Sequence, residues 1–304
     1  MLTRRLILLL AGSPAIRRLV RRYGMRLGAA RFVAGETLDQ AVQVLRGLNR
    51  AGLLTNTTFL GEGVGDETAA RAVTAAYIEI LDRIAREGLL TNPSVKLTHL
   101  GLDVSEELAY ANVRRLAEHA AALGNFVRID MEDSPRVDPT LRLYRRLRAE
   151  GFANVGIVLQ AYLRRTPADL EALLPLRPNL RLVKGAYLEP PAVAYPRKAD
   201  VDRAYIALME RMLVDASFTA IATHDERIIE HAIAFIARRG IPPERFEFQM
   251  LYGVRPALQL ALVRRGYRVR VATPYGEEWY PYLMRRLAER PANVLFMLRN
   301  LLRG

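Results

Sequence analysis

The sequence predicts an α/β fold: a closed (β/α)8 barrel of the TIM type over residues 54–304, preceded by an N-terminal helical extension over 1–53. Three observations predict it. From about residue 54 the chain repeats a unit of roughly 30 residues, a short apolar β-branched run followed by a longer amphipathic segment. Such runs recur eight times, which is the number that closes a parallel barrel. Polar residues also gather at the ends of those runs, where a barrel carries its chemistry.

The extension reads as helix from Thr3 to about Arg50, with Leu38, Val42, Val44, Leu45 and Leu48 at helical spacing. The expected strands are Thr57 to Gly61, Ser94 to Thr98, Phe126 to Met131, Val155 to Gln160, Leu180 to Lys184, Phe218 to Thr223, Arg245 to Leu251 and Tyr267 to Thr273. Helical patterns fall between them near 66–87, 105–122, 138–149, 166–174, 199–215, 225–239, 255–265 and 278–301, with Pro291 a break point in the last. A doubly wound open sheet is the second arrangement. Against it, Gly61-Glu62-Gly63-Val64-Gly65 is the nearest approach to a dinucleotide-binding loop and lacks its spacing.

Composition narrows the chemistry. At 304 residues with 51% hydrophobic content the chain can bury a full core. It has no cysteine, which excludes disulfides and thiolate chemistry. Histidines at 99, 119, 224 and 231 show no metal-ligand spacing, so no metal centre is expected. Of the net charge of +13, eight arginines and no acid lie within the first 35 residues. Basic residues interleaved with aromatics across a folded face are missing, so nucleic acid is not an expected partner. The Arg-rich, Leu-rich start suits an anionic membrane surface, a partner helix, or a solubilising role. The apolar run from Leu6 to Ala11 is six residues, too short for a secretory signal, and no stretch reaches the ~20 apolar residues that span a bilayer. Only Lys96, Lys184 and Lys198 are lysine, leaving 45 − 3 = 42 arginines. In so biased a chain a lysine hints that a compact ammonium is wanted.

Lys96, Asp130, Gln160, Arg181, Lys184, Thr223, His224 and Gln249 all fall late in, or just after, an expected strand. Any one of them reads as a satisfied structural hydrogen bond; together they predict a polar, cationic pocket at one rim. The stretch Tyr280 to Arg290 adds a second cluster. On a helix, Tyr282 lies one turn before Arg285 and Arg286, and Glu289 one turn after them. Two guanidinium forks suit an acidic small molecule, and a solvated basic helix face is the alternative.

Seven motifs in order resemble the proline dehydrogenase family, in its short, monofunctional bacterial form. They are Ser-Val-Lys-Leu-Thr at 94–98, Arg-Ile-Asp-Met-Glu at 128–132, Val-Leu-Gln-Ala-Tyr at 158–162, Arg-Leu-Val-Lys-Gly-Ala-Tyr at 181–187, Ala-Thr-His-Asp at 222–225, Phe-Gln-Met-Leu-Tyr-Gly-Val at 248–254 and Tyr-Leu-Met-Arg-Arg-Leu-Ala-Glu at 282–289. The resemblance implies a distorted barrel holding FAD non-covalently, which oxidises L-proline to Δ1-pyrroline-5-carboxylate by hydride transfer to flavin N5 and passes electrons to a membrane quinone. It implies that Arg285, Arg286 and Lys96 clamp the substrate carboxylate, braced by Asp130, with Glu289 orienting the arginine pair. Tyr282 and Tyr187 would wall the substrate ring. Arg181 would sit beside flavin N5. Met131, Gln160, Lys184, Gly185, Ala186, Thr223 and His224 would contact the cofactor, and Glu62 would be a nearby acid. Where the family often carries tyrosine, two positions before Pro274, this chain has Ala272. A cytoplasmic protein, peripheral at the inner face of the membrane and able to form oligomers, is the expected setting. A basic docking scaffold without redox activity, or a flavin-dependent folate reductase, are the alternatives.

Overall fold

The computed structural model describes residues 28–289, with isolated residues 18, 20, 24 and 25 before them and side chains as far as residue 284. Eight strands, β1 (Leu54–Phe59), β2 (Thr91–Val95), β3 (Val127–Ile129), β4 (Val155–Gln160), β5 (Asn179–Val183), β6 (Phe218–Ala222), β7 (Phe246–Leu251) and β8 (Val269–Tyr275), pair in chain order into a closed parallel barrel. Between them run helices α2 (Glu67–Arg86), α3 (Glu106–Ala122), α4 (Val137–Ala149), α5 (Thr166–Leu173), α6 (Lys198–Asp215), α7 (Glu226–Arg239) and α8 (Pro256–Arg264). Helix α1 (Leu38–Arg50) precedes the barrel and α9 (Trp279–Glu289) follows β8. The chain therefore folds as the expected (β/α)8 barrel.

Local chemistry starts the helices. Thr37 and Gln40 form a reciprocal capping box on α1, while Asp66, Ser105 and Asp225 cap α2, α3 and α7. The buried faces of α1 (Ala41, Val42, Leu45) and α2 (Tyr77, Ile80, Leu81) then join one apolar layer packed around the strands.

β1, β2 and β8 are displaced from expectation, and β3 is shorter, Val127–Ile129 against the expected Phe126–Met131. β1 and β2 begin three residues earlier than the apolar runs suggested, and β8 ends two residues later. The reason is the barrel interior, which is polar at these levels. Asn56 of β1 pairs in register with Asn92 of β2 and donates a hydrogen bond to Ser94, so these strands do not read as apolar. Parallel strands alternate sides with period two, and the paired positions Ser94 with Arg128, and Glu247 with Ala220, mark the inward set.

The lower interior holds charged side chains that are all hydrogen-bonded. Arg128 donates to the carbonyls of Ile157 (3.2 Å) and Asn179 (2.9 Å). Gly156 makes the room, since a Cβ there would lie 2.5 Å from Arg128 Nη1 and 2.7 Å from the Asn179 carbonyl. Burial, with Arg181 nearby, lowers the Arg128 guanidinium to about 9, so it still holds its proton at neutral pH. Glu247 receives Arg270 through Nε (2.7 Å) and Nη2 (3.1 Å), and Arg270 also donates to the Thr55 carbonyl at 2.8 Å.

A second apolar cluster closes the opposite end. Ala29, Phe32 and Val33 pack with Leu60, Val254, Trp279, Tyr280, Leu283 and Met284. The segment is tied there by Ala34 N to the Pro274 carbonyl (2.8 Å), Gly276 N to the Gly35 carbonyl (3.0 Å), and Trp279 Nε1 to Glu36 (2.6 Å). Gly253, at φ +71°, allows this approach: a Cβ there would meet the Arg31 carbonyl oxygen at 1.7 Å. The start of the described chain thus seats α9 over the barrel mouth.

Candidate active site

A cavity of about 800 Å3 opens at the carboxyl ends of the strands, the end at which barrels carry their chemistry. Alternate strand positions supply its floor: Asn56 and Thr58 of β1, Val158 and Gln160 of β4, Arg181 and Val183 of β5, Gln249 and Leu251 of β7, and Ala272 and Pro274 of β8. Lys96, Asp130, Lys184 and Thr223 sit one position past the ends of β2, β3, β5 and β6, so each projects at the rim.

Arg181, 8% exposed, is the most deeply set cation of the cavity wall. Its Nη2 ion-pairs with Asp130, and its Nη1 lies 3.4 Å from Gln249 Oε1. Its Nε is buried without a hydrogen-bond partner among the described residues. Lys96 bonds Glu62. Beside it, burial and the Lys96 charge lower the His99 imidazole to about 4. Burial raises the Glu132 carboxyl, which accepts Thr98 N (3.0 Å) and Thr98 Oγ1 (2.6 Å). Gln160 Nε2 donates to the Glu132 carbonyl at 2.8 Å, which fixes the amide at the cavity wall.

The opposite wall is a lattice of charges. Lys184 Nζ reaches Asp202 (2.5 Å) and Asp225 (3.1 Å), and Lys198 joins the same two carboxylates. Burial pushes both carboxyls up, and the lysines more than offset it, so both stay below the ordinary range. His224 Nε2 accepts the Leu251 N–H at 2.9 Å, and its carbonyl accepts Arg255 Nη1 at 2.9 Å. Gly185, at φ +107°, lets the chain run against the Tyr162 ring; a Cβ there would lie 2.0 Å from Cδ1.

The structure brings Lys96, Asp130, Met131, Gln160, Arg181, Lys184, Gly185, Ala186, Tyr187, Thr223, His224 and Tyr282 to this one cavity. Glu62 does not line it but is bonded to Lys96, which does. Arg285, Arg286 and Glu289 lie on α9, and their side chains fall outside the described residues. Sequence reasoning missed Asp202 and Asp225. Asp225 had a signal, as the residue after His224 and the cap of α7, whereas Asp202 sits among helix charges that look solvated. The third lysine, Lys198, lines the cavity with the other two.

Comparison with known proteins gives a consistent result. The family profile described as Proline dehydrogenase matches residues 41–299. Proline dehydrogenase 1 of Bacillus subtilis is 43% identical over 300 residues, covering 99% of both chains. Proline dehydrogenase of Deinococcus radiodurans is 43% identical over 307 residues, covering 100% of this chain and 99% of its own. Among solved structures, proline utilization A from Bdellovibrio bacteriovorus, inactivated by N-propargylglycine, superposes with a TM-score of 0.81 at 26% identity. That match covers 88% of this chain, which spans only 33% of the longer protein. A closed eight-strand barrel with a cationic mouth, a family profile across most of its length and near-complete alignment with short bacterial relatives together place the chain in the proline dehydrogenase family, of the monofunctional bacterial type.

Proposed function

We propose that the chain oxidises L-proline to Δ1-pyrroline-5-carboxylate, using FAD held non-covalently and passing electrons to a membrane quinone. The observation that carries this reading is Arg181, a buried cation in the cavity wall whose Nε lacks a partner among the described residues. The residues present suit the cofactor. About 800 Å3 is ample for a large flat ligand, Gly185 supplies a close-approach cradle, and the capped start of α7 with Lys184, Lys198, Arg227 and Arg255 suits phosphate oxygens. FAD, when bound, supplies the hydride acceptor.

On this reading the chain's own groups bind and orient. Lys96, with Arg285 and Arg286 from α9, grips the proline carboxylate, and charge-assisted bonds fix its position. Tyr187 and Tyr282 wall the ring and exclude water. Asp130 holds Arg181 in place, and Arg181 puts positive charge where the reduced cofactor gathers negative charge. Met131, Gln160, Ala186, Thr223 and His224 complete the cofactor surface. Orientation, rather than covalent chemistry, does most of the work. Access to a membrane quinone favours peripheral association through the Arg-rich start, most of which lies outside the described residues; among the described residues no helix is long and apolar enough to cross a membrane.

The test is anaerobic addition of proline to the purified holoprotein. Loss of the flavin's visible absorbance is expected, and Arg285→Ala should raise KM by about 10-fold or more, the equivalent of a lost charge-assisted bond. A protein that takes up no FAD, or whose flavin proline does not bleach, overturns the reading.

A further inference from the structure

Glu247 lies two residues from Gln249 on β7, so both side chains point inward. It is 1% exposed and has no place in the cavity wall. Its Oε1 accepts Gln249 Nε2 at 2.6 Å and Arg270 Nε at 2.7 Å, and its Oε2 accepts Arg270 Nη2 at 3.1 Å. An ionised carboxylate only accepts hydrogen bonds. Gln249 must therefore turn its amide nitrogen toward Glu247, which leaves its oxygen facing Arg181 Nη1 at 3.4 Å. Burial pushes the Glu247 carboxyl up, but Arg270 and Gln249 hold it below the ordinary range, so it remains an acceptor at neutral pH. The two terminal nitrogens of Arg181 are then claimed from opposite sides, by Asp130 after β3 and by Gln249 on β7.

We propose that Glu247 is a positioning residue for the site: acting through Gln249, it sets the orientation of the Arg181 guanidinium. The inference rests on the reading that Arg181 stands beside a bound flavin. A carboxamide at 247 can present either an oxygen or an NH2 to Gln249, so the amide loses its imposed direction and can turn its own NH2 toward Arg181. Arg181 is then pushed rather than held, and its charge favours the reduced cofactor less.

The experiment measures the two-electron reduction potential of the flavin in the holoenzymes of the wild type, Glu247→Gln, Gln249→Met and the double variant. Each single variant should weaken the preference for the reduced cofactor by about tenfold, or about 30 mV for two electrons. The double variant should shift no further than Gln249→Met alone. A wild-type potential in Gln249→Met overturns the proposal, and so does a Glu247→Gln shift that persists at full size in the Gln249→Met background, since that reports a direct field. If Glu247→Gln does not fold, Glu247→Asp, which keeps the charge but draws it back from the Gln249 amide, takes its place, and a wild-type potential in it overturns the proposal. A wild type that binds no flavin overturns the functional reading and this inference with it, whereas proline bleaching with an unmoved Gln249→Met potential overturns the inference only.

Discussion

The lower interior of the barrel and its mouth are both crowded with charge, yet the two are built to different ends. Below, Arg128, Glu247 and Arg270 are answered by carbonyls, amides and one another across β3, β5, β7 and β8. Above, Arg181, Lys96 and Lys184 also have partners, but their side chains border about 800 Å3 of open volume. A buried charge by itself therefore does not mark a site. What marks one is a charge held in place on one side and facing room on the other.

The comparison breaks most easily at the bottom. Arg270→Met strands the Glu247 carboxylate in the barrel interior, and breaking such a pair costs about 3–5 kcal/mol. Denaturant unfolding should show that loss, and a change below about 1 kcal/mol would mean that the lower network does not hold the barrel together. The next effect sharpens the contrast through pH. His99, buried beside Lys96, titrates at about 4 in the fold and at 6.5 when free. Between those values the unfolded chain takes up a proton that the folded chain refuses, so stability falls as pH drops from 6.5 to about 4. The histidine's share is on the order of 3 kcal/mol. Glu132, raised by burial, opposes this as pH falls toward the ordinary carboxylate value, so the difference between the wild type and His99→Leu isolates the imidazole. An equal pH slope in both proteins refutes it. The smallest effect concerns the upper wall. Ala272 borders the cavity at the position where the family resemblance implies a tyrosine, so Ala272→Tyr should sharpen the preference for proline over 4-hydroxyproline by about tenfold in kcat/KM. Unchanged discrimination would show that this position does not face the substrate.

The upper charges were far more legible in the sequence than the lower ones. Strand periodicity and the rule that barrels work at their carboxyl ends were enough to single out Lys96, Asp130, Gln160 and Arg181, and all four line the cavity. The scarcity of lysine pointed the same way, since Lys96, Lys184 and Lys198 all converge there. The Glu247–Arg270 pair was illegible because its partners are 23 residues apart and resemble any surface pair. The polar interior also hid the true bounds of β1 and β2, since Asn56, Asn92 and Ser94 break the apolar runs by which strands are recognised. The role of the segment near residue 30 had no signal either, because its contacts with Gly253 and Trp279 join positions far apart in the chain.

That last contact bears on biosynthesis. Trp279 meets Glu36, and the Gly35 carbonyl meets Gly276, so the lid over the mouth is a clasp between an early and a late piece of the polypeptide. A ribosome-bound nascent chain that has emerged only through β8 has all eight staves of its barrel but no clasp and no Tyr282. Its pocket stands open to water until α9 has emerged and docked, so the growing polypeptide acquires its complete binding chamber only after residues 279–289 have followed the barrel out.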